Sequence, residues 1–128
     1  MILLDTCALL WPNEARSRFP QKALDVLEQN ADALAISAIS LFEIGVKVKR
    51  GKLILPLRTD KWYRSLAHLY GLVEISISAD IAALATDLPD IHRDPFDRLL
   101  IATALTRRLP ILTADRIIPQ YPQVQVVW

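Results

Sequence analysis

The chain has a single cysteine, Cys7, so it can form neither an internal disulfide nor a cysteine-built zinc knuckle. No histidine is near Cys7 in sequence. It therefore reads as a small hydrophobe rather than a nucleophile, and it fits a reducing compartment. No apolar run approaches the roughly 20 residues that a membrane span needs. The opening Met1-Ile2-Leu3-Leu4-Asp5 lacks both a basic stretch and a long apolar core, so no secretory leader is expected and a cytoplasmic location is. The net charge is only +1, which removes any global pull toward nucleic acid. Binding to a polyanion must then come from local basic patches. Internal repeats, low-complexity tracts and linkers are absent too. What remains is a chain of 128 residues that is 52% hydrophobic. That is long enough for one packed domain over 1–128, and too apolar for disorder.

Short apolar runs alternate with helical patterns. Strands are expected over 2–5, 33–37, 72–77, 110–113 and 124–128, the first of them continuous in apolar residues as buried parallel strands are. Helices are expected over 20–30, from a cap at Ser37 or Ser40 to Arg50, over 60–70, from a Ser78 cap through Leu88, and over 96–108. Gly51 and Gly71 stand where two of these helices stop. The alternation predicts an α/β sandwich around a mainly parallel sheet.

Four acids sit against these apolar segments. Asp5 ends Ile2-Leu3-Leu4, and Asp115 follows Ile111-Leu112-Thr113-Ala114. Glu43 lies within Ile39-Ser40-Leu41-Phe42-Glu43-Ile44, and Asp97 precedes Leu99-Leu100-Ile101-Ala102. A carboxylate beside a core segment is costly unless it is paired. In open parallel sheets, ligands bind beyond the carboxyl ends of the strands, and Asp5 and Asp115 should open onto that edge. Glu43 shares a helix face with Ile39 and Val46, and Asp97 with Leu100 and Ile101, so both point inward. Four converging carboxylates would repel one another, and a divalent cation would relieve the repulsion. Oxygen-only donors favour Mg2+ or Mn2+ over zinc, and phosphodiester hydrolysis is the chemistry such sites often serve.

Each acid also has a plainer reading. Asp97 can be a helix-start charge and Glu43 the capping-box partner of Ser40. Asp5 and Asp115 can be turn residues at strand ends. Asp94 precedes Pro95 and suits an N-cap more than a metal ligand. Thr6 and Thr113 offer hydroxyls that could orient a carboxylate or a water. Lys47, Lys49, Arg50 and Lys52 form a basic run that either contacts phosphate or only complements a helix end. Arg98 and Arg116 each follow an acid and either pair with it or touch phosphate. His92 reads as a loop residue or an RNA contact. Trp62, Tyr63 and Tyr70 read as core or interface rather than as a stacking platform.

Taken together, these segments resemble a PIN-domain ribonuclease of the VapC type, the toxin of a toxin–antitoxin pair. His92-Arg93-Asp94-Pro95-Phe96-Asp97-Arg98 leading into an apolar helix is the most specific of them, and the resemblance runs along the whole chain. It implies a PIN-like three-layer sandwich and an acidic quartet of Asp5, Glu43, Asp97 and Asp115. Among these, Asp5, Asp97 and Asp115 would hold the metal, with Thr6, Asp94 and Thr113 behind them. RNA contacts are expected from Lys47, Arg50, Arg98 and Arg116. The resemblance also implies Mg2+- or Mn2+-dependent cleavage of RNA, a small cognate antitoxin and a homodimer. The alternative is a non-catalytic RNA- or protein-binding module on the same fold.

Overall fold

The computed structural model describes all residues, Met1–Trp128. Five strands form one sheet in the order β3-β2-β1-β4-β5, and every pairing is parallel. They are β1 (Ile2–Leu4), β2 (Leu34–Ser37), β3 (Val73–Ile75), β4 (Ile111–Leu112) and β5 (Val126–Val127). Six helices complete the fold: α1 (Thr6–Leu9), α2 (Gln21–Gln29), α3 (Ala38–Lys49), α4 (Thr59–Tyr70), α5 (Ala79–Asp87) and α6 (Pro95–Arg107).

Strand alternation splits the core in two. Ile2, Leu4, Leu34, Ile36 and Leu112 face one way, against Leu24 and Leu27 of α2, Ile44 of α3, and Trp62 and Leu66 of α4. Leu3, Ala35, Ile75 and Ile111 face the other way, against Ile81 and Ala85 of α5 and Leu100, Ile101 and Ala104 of α6. Both sheet faces are therefore covered, which explains why the strands read as continuous apolar runs. Each fully buried Leu or Ile contributes about 1.5–3 kcal/mol of transfer free energy. Trp62 is core, Tyr70 packs on Trp11 at 4.8 Å between ring centroids, and the Tyr63 hydroxyl donates to Glu74.

Helix boundaries follow their caps. Asp94 caps α6 by accepting the Phe96 N–H at 2.9 Å, with Pro95 at the first helical position. The helix ends at Arg108, which takes the left-handed conformation (φ 55°) that glycine takes at Gly71 after α4. The cap of α3 is Ser37, whose Oγ accepts the Ile39 N–H at 3.2 Å. Ser40 is not the cap, so Glu43 is no capping-box partner. The sequence also concealed α1, a single turn directly after β1.

The connectivity places the site. From β1 the chain winds outward to β2 and β3, then returns across the sheet to β4 and β5 on the other side of β1. The winding direction reverses between β1 and β4, and at such a reversal the connecting loops part and leave a crevice at the carboxyl ends. No helix is long and apolar enough to cross a membrane.

Candidate active site

Asp5 is the first residue beyond β1, and its N–H still donates to Leu112 O of β4 at 3.1 Å. Its Oδ1 accepts the Ala8 N–H at 2.6 Å, which makes Asp5 the N-cap of α1. Its Oδ2 accepts the Thr113 hydroxyl. The same Thr113 oxygen accepts the Asp115 N–H at 3.0 Å. Beyond it, Asp115 Oδ1 takes the N–H groups of Ile117 (2.7 Å) and Ile118 (3.0 Å), leaving Oδ2 to face the crevice. The strand-end and turn readings of Asp5 and Asp115 are thus correct as local structure. They also orient both carboxylates.

Asp97 enters from the first turn of α6 and Glu43 from the middle of α3. All four acids line one cleft of about 310 Å³, together with Thr6, Cys7, Lys47 and Asp94. Lys47 Nζ stands 3.8 Å from Glu43 Oε2, one turn along α3. Ser40 Oγ, one turn before Glu43, is buried without a hydrogen-bond partner. Cys7 is exposed at the cleft rather than packed away.

His92 is a loop residue, as expected, but a buried one that joins this constellation. It is 7% exposed, and its Nε2 lies 3.1 Å from both Asp97 Oδ2 and Asp115 Oδ2. These three donor atoms fall within 4.8 Å of one another. The signal available in sequence was only its place two residues before Asp94.

Arg98 is also reassigned. Its guanidinium donates to the carbonyls of Ala85 (2.8 Å), Leu88 (2.8 Å), Pro89 (3.1 Å) and His92 (3.1 Å). Carbonyls in the last turn of a helix lack intrahelical partners, and Arg98 supplies them for α5. It does not pair with Asp97; its guanidinium is turned to these carbonyls, with Asp90 Oδ1 3.7 Å away. Arg50 and Arg116 are exposed, and Lys47 reaches the cleft rim.

The electrostatics follow from crowding. Burial pushes the Asp5 carboxyl above its ordinary value, partly offset by the Thr113 and Ala8 hydrogen bonds, while Glu43 and Asp115 add repulsion. Burial also raises Asp97, to about 7, and repulsion from Asp94, Asp115 and Glu43 outweighs the help of His92. Asp115 ends below its ordinary value. Burial raises it, but the Ile118 N–H, His92 and the Ile117 N–H more than compensate. Partial desolvation within the cleft and the Asp5 charge push the Cys7 thiol up, and a soft sulfur suits Mg2+ or Mn2+ poorly. The remaining donors are the carboxylate oxygens of Asp5, Glu43, Asp97 and Asp115, with His92 Nε2 beside two of them and one lysine at the rim. That set fits Mg2+ or Mn2+. The orphaned Ser40 hydroxyl is a spare donor on the Glu43 face.

A family model for the PIN domain matches residues 2–124. Ribonuclease VapC22 of Mycobacterium tuberculosis (strain ATCC 25618 / H37Rv) is 31% identical over 130 residues, covering 99% of this chain and 98% of that protein. Among solved structures, a toxin-antitoxin complex from Klebsiella pneumoniae contains a chain that superposes with a TM-score of 0.66 at 25% identity, covering 97% of this chain and 95% of that one. VapBC2 from Rickettsia felis, bound to a DNA fragment from its promoter, gives a TM-score of 0.69 at 20% identity, covering 98% and 97%. The chain belongs to the PIN-domain family.

Proposed function

We propose that this single-domain protein is the endoribonuclease toxin of a toxin–antitoxin pair, hydrolysing RNA phosphodiester bonds in the carboxylate cleft with Mg2+ or Mn2+. The observation that carries the reading is the convergence of Asp5, Glu43, Asp97 and Asp115, from four separate elements, at the β1–β4 crevice. The 31% identity to a ribonuclease over nearly the whole chain supports the same activity.

Asp5, Asp97 and Asp115 would hold the ion, with Glu43 completing the quartet. When bound, a divalent ion supplies Lewis acidity and positive charge at the scissile phosphate. The protein supplies the frame. Ala8 N–H and Thr113 Oγ1 fix both oxygens of Asp5, while the Ile117 and Ile118 N–H groups fix one oxygen of Asp115. Neighbouring carboxylates raise both Asp5 and Asp97, so proton transfer belongs to the cluster rather than to one acid. Lys47 at the rim, with Arg50 and Arg116 outside it, offers positive charge to the RNA backbone.

A small antitoxin and a homodimer belong to the same reading. The solved relatives from Klebsiella pneumoniae and Rickettsia felis are toxin–antitoxin complexes. On this chain Phe42 is 60% exposed beside Leu41 and Val46, with its ring 5.7 Å from Phe96, so α3 offers an apolar face next to the cleft.

The test is cleavage of mixed cellular RNA by the purified protein with Mg2+, with Mn2+ and with a chelator. Metal-dependent cleavage that Asp5→Asn abolishes without unfolding the protein is expected. Cleavage that persists in the chelator, or in Asp5→Asn, overturns the reading.

A further inference from the structure

We propose that His92 is a positioning residue of the cleft, an imidazole donor that holds Asp97 and Asp115 at metal-binding separation without itself binding the metal. The proposal rests on the cleft being a metal site, and it names the device that shapes it.

His92 Nδ1 accepts the Asp94 backbone N–H at 3.2 Å. A ring nitrogen that accepts carries no proton, so in the neutral imidazole the proton is on Nε2. Nε2 faces Asp97 Oδ2 and Asp115 Oδ2, each at 3.1 Å. The one N–H is hydrogen-bonded to Asp115 Oδ2, and Asp97 Oδ2 stands at the same distance from Nε2. To ligate a metal, Nε2 would have to pass its proton to Nδ1, and that proton would then point at the Asp94 N–H. The geometry therefore makes His92 a donor, even though its nitrogen and the two oxygens lie within 4.8 Å of one another in the manner of a ligand set.

The backbone that carries the ring is firmly held. The His92 N–H donates to Tyr121 Oη at 2.9 Å, and the Tyr121 hydroxyl donates onward to Pro89 O at 2.8 Å. The His92 carbonyl accepts from Arg98 Nη1 at 3.1 Å. The peptide is thus pinned at both its N–H and its C=O, by a tyrosine that is 1% exposed and by the arginine that caps α5. A surface loop residue gets no such anchoring. Its effect is to hold one N–H at a set place between two acids that come from different elements, α6 and the loop after β4.

Asp97 and Asp115 repel each other across the crevice, and Asp115 Oδ1 is already occupied by backbone donors. Oδ2 is the oxygen free to turn. The imidazole between them offsets that repulsion, since His92 favours the charged form of each acid while Asp115 disfavours that of Asp97. Groups that orient metal ligands from behind typically change metal affinity 10–100-fold when removed.

The experiment is calorimetric titration of Mn2+ into the metal-free protein, comparing wild type, His92→Ala, His92→Gln and Asp97→Asn. His92→Ala should weaken Mn2+ binding about 10–100-fold, and His92→Gln, which keeps an N–H donor at similar reach, should restore most of it. Pulsed EPR of the Mn2+-loaded wild type should show no coupling from a directly bonded nitrogen. Wild-type affinity in His92→Ala, failure of His92→Gln to restore binding, or a bonded nitrogen signal each overturns the proposal. If His92→Ala does not fold, Tyr121→Phe carries the test. It removes one anchor of the His92 peptide, and should weaken Mn2+ binding; unchanged affinity there overturns the proposal. Unchanged Mn2+ binding in Asp97→Asn would instead overturn the metal site itself, a separate failure.

Discussion

The Thr113 hydroxyl binds Asp5 across the junction of β1 and β4, and the same oxygen accepts the Asp115 N–H. One buried side chain thus joins the two strand-end acids. Thr113→Val keeps the shape and removes the hydroxyl, leaving a buried carboxylate oxygen and a backbone N–H without their partner. An unsatisfied buried group costs about 1–3 kcal/mol, so a lower melting temperature and weaker RNA cleavage are both expected. A variant that melts and cleaves like the parent would show that the hydroxyl does not hold the two acids.

Asp97 predicts a pH dependence. Its folded-state pKa of about 7 stands above the ordinary value of 3.8 that it regains on unfolding. Between those values the folded protein keeps a proton that the unfolded chain has released. Stability from this group is therefore full below about pH 4 and falls as pH rises toward 7. In metal-free protein, the free energy of unfolding of wild type should drop relative to that of Asp97→Asn across this window. Two parallel curves in urea titrations at stepped pH would contradict the assignment.

Arg98→Lys tests the capping role of the guanidinium. Lysine cannot reproduce a planar fork that reaches Ala85, Leu88, Pro89 and His92 at once. A loss of at least about 2 kcal/mol is expected, since hydrogen bonds to charged groups are worth about 1.5–3 kcal/mol each. The salt slope of RNA binding should stay the same, because Arg98 faces carbonyls rather than phosphate. A shallower slope with unchanged stability would restore it as an RNA contact.

Arg108 closes α6 in the left-handed region at φ 55°. A residue with a Cβ is strained there by about 1–2 kcal/mol, and glycine is not. Glycine costs about 0.5–1 kcal/mol of extra chain entropy, so Arg108→Gly should give a small net gain. Thermal unfolding should show a rise of a few degrees. A fall would mean that the arginine side chain itself stabilises the helix end.

Much of this was legible in the linear pattern. Parallel strands covered on both faces must be apolar throughout, so the runs at Ile2, Leu34 and Ile111 declared themselves. Asp5 and Asp115 could be placed on one edge because both follow such runs. Asp94 before Pro95 read correctly as an N-cap. The roles of Arg98 and His92 were hidden because their partners are distant in sequence. Arg98 serves carbonyls 6 to 13 residues earlier in the chain. His92 reaches Asp115, 23 residues away, from a loop with no periodic signature. The turn α1 spans four residues, too short to show a helical period. Cys7 inherits its exposure from that turn.

The pairing of β1 with β4 also sets the order in which the cleft can come into being during synthesis. Leu3 lies beside Ile111, so the central strand keeps one edge open until most of the chain has been made. A nascent chain bearing only the first ninety residues holds Asp5 and Glu43 but neither Asp97 nor Asp115, and its β1 has no Thr113 to steady the first acid. Contacts of such long sequence separation form late. A protein built this way acquires its cutting chemistry only when its last strands dock, so a ribosome-bound fragment has no complete cleft with which to cut RNA.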